Sequence, residues 1–371
     1  MTSRPGPRLS GRSTSTTPPT GASSSPSPGG PLRIALLGCG TLAEILADEI
    51  YPRVRDAVDV VAAIDVRPQR AAAIADKLGA RAHTSLEDAC AAGDLEAVDI
   101  RLPHHLHLEG ARLAARAGLP FLVEKPLAER LDAALEIEEI ARGIGPSCGV
   151  AENYVFLAPV IAARELLAMG EIGTLLTVQA TRVFELGHQW RRDGWRLQAG
   201  AADGAQGVIV DQATHVARLV RTVVGEPAQL HAFAAGRREG WAGPDSAAVS
   251  CRFQSGVVGT LSLCWGSPTP AAPDRTPELR LFGSAGSIDV FISYAGQGGG
   301  AVLQRIGTAD SWHATGGNYH DSLGGVLVDW AQAVRAGREP VASMREGVRD
   351  AVVMAAIAES AETGRPVDLS V

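Results

Sequence analysis

Residues 34–43 read Ile-Ala-Leu-Leu-Gly-Cys-Gly-Thr-Leu-Ala, an apolar run that ends in two glycines and continues into apolar residues at helical spacing. This order predicts a buried strand, a glycine turn and the start of a helix. The first glycine would permit the tight turn, the second would let a pyrophosphate approach the backbone, and the final alanine would let helix and strand pack closely. The helix N-terminus would then face the anion. We therefore expect cofactor contacts from the turn residues Gly38, Cys39, Gly40, Thr41 and Leu42.

A second apolar run, Val58–Ile64, ends at Asp65. This is about the separation from the glycines at which an acidic side chain meets the adenosine ribose, and a carboxylate there favours NAD over NADP. Arg67 is the opposing signal, because a nearby guanidinium can accept a 2′-phosphate, which Asp65 would repel. We expect both residues at the cofactor, with NAD as the favoured cofactor and NADP as the alternative.

The rest of the first half alternates strands and helices. A helix is predicted over Pro68–Leu78, and strands are predicted near Ala97–Arg101 and Pro120–Val123 with helical segments between them. This pattern indicates an α/β fold with a doubly wound parallel sheet. An isolated glycine turn can also be a plain strand-to-helix connection that binds nothing, and the alternation is what argues against that interpretation.

Two further stretches of the sequence resemble those of a known protein family. Residues 98–107 read Val-Asp-Ile-Arg-Leu-Pro-His-His-Leu-His, and residues 118–128 read Gly-Leu-Pro-Phe-Leu-Val-Glu-Lys-Pro-Leu-Ala. Here the chain resembles the Gfo/Idh/MocA family, named for glucose–fructose oxidoreductase, inositol dehydrogenase and rhizopine catabolism. The resemblance extends over roughly residues 32–371, and its most specific piece is Glu124-Lys125-Pro126. It implies an NAD(P)-dependent dehydrogenase or reductase that acts on CH–OH groups of a sugar, cyclitol or sugar derivative.

Three segments are expected. Residues 1–30 are dominated by Ser, Thr, Pro and Gly and should form a disordered tail. Residues 31–148 should form the Rossmann domain, and residues 149–371 a substrate-binding and oligomerisation domain with closing C-terminal helices. The many strand-like segments of the last part predict a large, open, mostly antiparallel sheet in an α+β domain.

Lys125 precedes a proline, which biases its backbone towards extended geometry and ends the strand there. Ligands of such sheets bind at the carboxyl ends of the strands, so an ammonium at this point can hydrogen-bond a substrate oxygen and stabilise alkoxide charge. A solvated surface lysine is the alternative interpretation.

Asp211 and His215 lie four residues apart in a stretch that resembles the Asp-x-x-x-His helix of the family. On a helix this spacing places both side chains on one face, where each can bias the protonation of the other. The resemblance implies a catalytic set of Lys125, Asp211 and His215. In this set His215 exchanges the hydroxyl proton, Asp211 orients substrate or imidazole, and Lys125 holds the same oxygen while the hydride passes to or from nicotinamide. A helix-stabilising pair is the alternative for the two helical residues.

The resemblance also implies further contacts. Those on the cofactor side are Leu102, Pro103, His107, Glu124 and Lys125. Those on the substrate side are Lys125, Tyr154, Trp195, Arg196, Asp211 and His215. An aromatic wall for a sugar ring could be completed by Phe184, His188, Trp190 and Arg191, with core packing as the alternative. The chain departs from the family at Leu102 and His104, where Thr and Asn are frequent, and at Arg218, where aspartate is frequent.

Composition narrows the class of partner. The formal net charge of −7 offers no basic field for nucleic acid, and no apolar run approaches the roughly 20 residues of a membrane span. The five cysteines are scattered without metal-type spacing, so we expect neither a metal site nor disulfides. A cytoplasmic homo-oligomer, a dimer or tetramer packed through the C-terminal sheet, is predicted.

Two other functions remain open at this point. One is an NAD-retaining enzyme resembling a glycoside hydrolase, which would oxidise a sugar hydroxyl transiently and eliminate a substituent. The other is a sensor that binds dinucleotide without turnover. Substrate identity, stereochemistry and direction are not specified by the sequence.

Overall fold

A computed structural model describes residues 30–186, 195, 207–241, 243–266, 277–293, 299–305, 308, 311–314 and 318–369. The predicted tail over residues 1–30 lies outside this range except for Gly30. Within the described residues, no helix is both long enough and apolar enough to cross a membrane.

The first sheet is parallel and has six strands in the order β3-β2-β1-β4-β5-β6. Its strands are β1 (Leu32–Leu37), β2 (Val58–Ile64), β3 (Arg81–His83), β4 (Ala97–Ile100), β5 (Phe121–Glu124) and β6 (Gly149–Ala151). The helices between them are α1 (Thr41–Ile45), α2 (Pro68–Leu78), α3 (Leu86–Ala91), α4 (His107–Arg116) and α5 (Leu131–Ile144). The doubly wound parallel sheet is confirmed, and it extends through Ala151, beyond the boundary predicted at residue 148.

The second sheet has nine strands in the order β14-β13-β12-β11-β7-β10-β9-β8-β15. They are β7 (Leu175–Val183), β8 (Pro227–Ala235), β9 (Ser246–Phe253), β10 (Val258–Cys264), β11 (Leu279–Gly283), β12 (Gly286–Phe291), β13 (Gly300–Arg305), β14 (Ser311–Ala314) and β15 (Val367–Asp368). Every pairing is antiparallel except that between β7 and β10. The predicted large antiparallel sheet is therefore confirmed.

One face of this second sheet carries helices. They are α6 (Ala158–Ala168), α7 (Gly207–Val223) and α9 (Met344–Thr363). Nearly every residue of α7 is buried, so its polar side chains must find partners inside the protein. This helix carries Asp211 and His215.

The helix α8 (Tyr319–Ala336) belongs by sequence to the second half but packs on the first sheet. Its Trp330 is fully buried and donates a hydrogen bond from Nε1 to the Ser147 carbonyl at 3.1 Å. This helix is one of the predicted closing C-terminal helices, and it closes against the first sheet. Asn318 caps it through a reciprocal pair of hydrogen bonds with Asp321.

Candidate active site

The glycine turn joins β1 to α1. Gly38 has φ +103°, and a Cβ added to it would lie 2.6 Å from the Arg101 carbonyl oxygen, so only glycine fits. A Cβ on Gly40 would meet no atom closer than the Arg70 guanidinium at 3.9 Å. The packing of the chain itself therefore does not require the second glycine, which suits close approach of a ligand.

Asp65 lies beside this turn at the end of β2. Its carboxylate accepts hydrogen bonds from the backbone N–H groups of Cys39 at 3.0 Å and Arg67 at 2.9 Å. The Cys39 side chain points into the core, where burial raises its pKa to about 12. Thus Cys39 gives neither its thiol nor its N–H to a phosphate, whereas the half-buried Asp65 keeps lone pairs for a ribose hydroxyl.

The structure brings Lys125 to α7. Its Nζ donates a hydrogen bond to the main-chain oxygen of Asp211 at 3.1 Å and lies 3.6 Å from Oδ1 of the same residue. Lys125 follows β5 of the first sheet, and Asp211 is in the first turns of α7, a helix that packs on the second sheet. The Asp211 carboxylate also accepts a hydrogen bond from the Gln212 amide.

The carboxylate that contacts the His215 imidazole is Glu152. Nδ1 of His215 lies 3.0 Å from Oε1 and 2.9 Å from Oε2 of this glutamate, and both side chains are buried. The expectation that Asp211 orients the imidazole is therefore replaced by a Glu152–His215 contact. Burial, with smaller contributions from Lys125 and Arg182, lowers the pKa of His215 to about 4. The imidazole is neutral near pH 7 and can accept a proton.

Tyr154 stacks on the His215 ring with centroids 4.5 Å apart and an interplanar angle of 22°. Its hydroxyl donates to Glu278 at 2.9 Å, and Arg182 pairs with the same carboxylate at 3.1 Å. Because Tyr154 is fully buried and its hydroxyl is engaged, the structure gives it the role of supporting the imidazole. The predicted direct contact with substrate is not supported.

His107 also lies elsewhere than predicted. It is fully buried, with Nδ1 2.9 Å from the Pro126 carbonyl and Nε2 3.0 Å from the Leu102 carbonyl. It therefore ties the segment after β4 to the segment after β5 and does not line the cofactor cleft. Half-buried Leu102 packs under Gly38, and half-buried Pro103 remains at the strand end beside it.

Glu124 pairs with the buried Arg101, which also contacts Asp99 at 2.7 Å. Tyr51 donates to the same aspartate at 2.5 Å. Burial raises the pKa of Glu124 against the opposing effect of Arg101. The ion pair with Arg101 therefore anchors Glu124, the residue directly before Lys125, and Glu124 is not a free cofactor ligand.

Two residues at this site were not predicted from the sequence: Glu152 and His104. His104 is buried, with Nε2 3.4 Å from Oδ1 of Asp211 and its ring 4.7 Å from the Trp195 ring. Their positions in the sequence could have indicated them, because both follow strands of the parallel sheet at the edge that carries Lys125.

Of the predicted aromatic wall, Phe184 lies under the Arg182 guanidinium at 5.0 Å, consistent with packing. The predicted contacts of Arg196, His188, Trp190 and Arg191 fall outside the described residues.

The arrangement places the Lys125 ammonium at Asp211, four residues before the neutral imidazole of His215 on α7. Lys125 is close enough to His215 to disfavour its protonated form. An ammonium can stabilise an oxyanion while the imidazole accepts the proton released from the same oxygen. Within the described residues, no cluster of three or more potential metal ligands occurs.

Two family models match this chain, one over the first sheet and one over much of the second. Residues 32–151 match a family model described as "Oxidoreductase family, NAD-binding Rossmann fold", and residues 160–289 match the "GFO/IDH/MocA C-terminal domain". Together the two ranges cover more than half of the chain.

Individual relatives agree with these matches. D-xylose 1-dehydrogenase (NADP(+)) 2 of Haloferax volcanii is 28% identical over 88% of this chain and 97% of its own length. 1,5-Anhydro-D-fructose reductase of Ensifer adhaerens is 34% identical over 54% of this chain and 60% of its own length. The crystal structure of an inositol dehydrogenase homolog from Azotobacter vinelandii, complexed with NAD+, has a TM-score of 0.78 at 20% identity and covers 91% of this chain and 97% of that one. That likeness shows the fold.

Proposed function

Because the chain belongs to the Gfo/Idh/MocA oxidoreductase family, we propose that it interconverts a secondary hydroxyl and a ketone on a sugar, cyclitol or sugar derivative, with NAD as hydride carrier. The observation that carries this proposal is the convergence of Lys125 and His215 beside Asp211. The relatives named above, a xylose dehydrogenase and an anhydrofructose reductase, support the substrate class.

The side chains divide the work of alcohol oxidation. Lys125 donates a hydrogen bond to the substrate oxygen and stabilises its developing negative charge. His215 takes the hydroxyl proton on Nε2 and returns it to the oxygen in the reverse reaction. Asp211 holds the lysine through its main-chain oxygen and its carboxylate. The nicotinamide supplies hydride acceptance and donation when it is bound.

The described residues fit a dinucleotide. The turn at Gly38 and Gly40 would receive the pyrophosphate, and Asp65 would accept a hydrogen bond from the adenosine ribose. The carboxylate is the reason to propose NAD over NADP, although exposed Arg67 lies on the same edge. A 2′-phosphate placed against Asp65 would meet repulsion between like charges.

The presence of lysine and not arginine at position 125 supports the proposed role. Only two of the 34 Lys and Arg residues of the chain are lysine, at positions 77 and 125. In a chain that uses arginine almost everywhere, the compact ammonium at the strand end has a role that a planar guanidinium does not fill. Donation to a single alkoxide oxygen is such a role.

The first experiment measures NADH formation with free sugars, inositols and nucleotide-sugars, with NADP run in parallel. We expect Lys125→Ala and His215→Ala to lower kcat by about 10²-fold or more. Lys77→Ala is the matched control, because this other lysine is exposed and pairs with Asp48 at 2.7 Å. Tight NAD binding without turnover on any substrate would contradict the proposal and favour the hydrolase-like or sensor alternative.

We also propose that the enzyme works as a cytoplasmic homo-oligomer. The five cysteines are free thiols in the structure, as suits a reducing compartment. The face of the second sheet opposite α6, α7 and α9 is uncovered in the described chain and is suited to a second copy.

A further inference from the structure

Glu152 is a buried acid whose position requires an explanation. It directly follows β6 and is fully buried, and ionised carboxylates are very costly to bury unless they are paired and hydrogen-bonded. Its partners are Nδ1 of His215 and the backbone N–H of Tyr154, which donates to Oε1 at 3.0 Å. These two partners hold the Glu152 carboxylate against the His215 imidazole.

The surroundings keep this carboxylate charged. Burial acts to raise the pKa of Glu152, but His215, Arg218 and the Tyr154 N–H outweigh it, and the net pKa is lowered. Arg218 lies one turn after His215 on α7 and is held by Asp350 at 2.6 and 2.8 Å. The guanidinium is thus fixed close to Glu152.

A charged acceptor at Nδ1 selects one form of the ring. Because an ionised carboxylate can only accept, the contact at Nδ1 favours the neutral tautomer that has its proton on Nδ1 and its lone pair on Nε2. Tyr154, stacked on the ring, restricts its rotation. Asp211 is occupied by Lys125, Gln212 and His104 on another side. The two carboxylates of the site therefore have different partners: Asp211 contacts the Lys125 ammonium, and Glu152 contacts the His215 imidazole.

We propose that Glu152 is the positioning residue of His215: it fixes the tautomer that presents Nε2 to the substrate hydroxyl and stabilises the imidazolium formed when that proton arrives. The inference rests on the proposed function for its kinetic consequence, but the tautomer itself exists without turnover. In oxidation the substrate O–H bond breaks and its proton forms an N–H bond at Nε2. The other proton stays on Nδ1, and the Glu152 carboxylate accepts a charge-assisted hydrogen bond from it.

The first test is spectroscopic and needs no substrate. In the full chain labelled with ¹⁵N-histidine, the His215 signals, assigned by their loss in His215→Ala, should show a protonated Nδ1 and an unprotonated Nε2 at pH 7. Glu152→Gln should shift or broaden the Nδ1 proton signal. A wild-type spectrum with the proton on Nε2 would overturn the inference, whatever the enzyme turns over.

The second test separates positioning from folding. Glu152→Gln should lower kcat by about 10²-fold while KM changes by less than about threefold, and Glu152→Asp should recover part of the loss. The control is Glu226→Gln, which removes a partner of Arg221, the arginine that shares Asp350 with Arg218, and should leave both constants unchanged. Unaltered kcat in Glu152→Gln would refute the role, whereas an inactive wild type would count against the proposed function and leave the NMR result standing.

Discussion

At the residue scale, two buried histidines with the same low pKa do different things. Burial lowers the pKa of His107 and of His215 to about 4 in each case. Both ring nitrogens of His107 lie against main-chain carbonyls, so its ring is held by the backbone. Among the described residues, His215 has a hydrogen-bond partner at Nδ1 alone, and that partner is the carboxylate of Glu152. This difference supports the proposed proton exchange at His215, whereas His107 holds together the segments that flank the site.

We predict that His107 makes folding sensitive to acid. Its ordinary pKa is 6.5, so as the pH falls the unfolded chain binds a proton before the folded chain does. The stability gained by burying the neutral ring is complete above pH 6.5 and is lost between pH 6.5 and about 4. Between pH 7 and pH 5 we expect this residue to remove about 2 kcal/mol from the free energy of unfolding.

Urea unfolding of wild type and His107→Leu at these two pH values measures the effect. The variant is expected to be less stable at pH 7 but to lose about 2 kcal/mol less than wild type on acidification. Glu124, Glu278 and Asp350 have raised pKa values, so their protonation stabilises the folded chain as the pH falls. This contribution is the same in wild type and variant and cancels in the comparison. His105→Leu, at an exposed position, is the control. Equal pH dependence in wild type and His107→Leu would contradict this assignment.

The sequence pattern identified some of the site residues and missed others for a physical reason. Lys125 and His215 were predicted because the motifs that carry the family resemblance are local: a strand end before a proline and a four-residue spacing on a helix. Glu152 was missed because its partner is 63 residues away and no local pattern encodes that contact. His107 was assigned to the cleft because its spacing from a proline is the same whether its ring faces a ligand or a carbonyl.

At the element scale, α7 and α9 are joined by a buried ion cluster. Asp350 on α9 accepts hydrogen bonds from Arg218 and Arg221 on α7, and all three side chains are buried. Arg221 also pairs with Glu346 at 2.7 Å. These ion pairs hold the C-terminal helix against the helix that carries His215, and the charge of Arg218 also lowers the pKa of Glu152.

We predict that Asp350→Ala costs about 3–5 kcal/mol of unfolding free energy, because it leaves two guanidinium groups buried without their shared carboxylate. The measurement is urea unfolding at pH 7. Glu339→Gln, which breaks an exposed pair with Arg345 at 3.1 Å, is the control and should change stability by less than about 1 kcal/mol. If the two variants lost equal stability, the cluster would not be the link between the helices.

Element prediction succeeded where periodicity was strong. The helix Pro68–Leu78 and the strand Val58–Ile64 have the predicted bounds. The three-residue β3 and the two-residue β15 were missed because such short segments show no period, and their strand geometry comes from the neighbouring strand. The helix α8 begins at Tyr319, directly after its Asn318 cap, so a polar residue and not an apolar one marks its start.

At the scale of the whole molecule, the second sheet has one face for the core and one face that the described chain leaves open. Its helices cover the side where Leu230, Val249 and Leu261 lie. On the opposite side β9 and β10 expose short side chains: Ala248, Ser250, Thr260 and Ser262. A flat surface of short side chains allows a second sheet to approach at the usual spacing of about 10 Å.

Two large apolar side chains lie on this open face. Phe233 on β8 is 66% exposed and Val258 on β10 is 52% exposed, and Phe233 stands opposite Ala248 in the ladder. Burying them against a second copy would remove apolar surface from water. We therefore predict that the wild-type chain sediments with at least twice its monomer mass of 38.6 kDa.

Phe233→Arg should convert the assembly to monomers in analytical ultracentrifugation, because each symmetric contact would bring a charge into the apolar surface of the partner. The control is Leu135→Arg, at an exposed apolar position of α5 on the first half, which should leave the assembly intact. Since Lys125, Asp211 and His215 all lie within one chain, a monomeric Phe233→Arg should retain NADH formation. A wild type that sediments as a monomer would show that the open face of the sheet has no second copy to cover it.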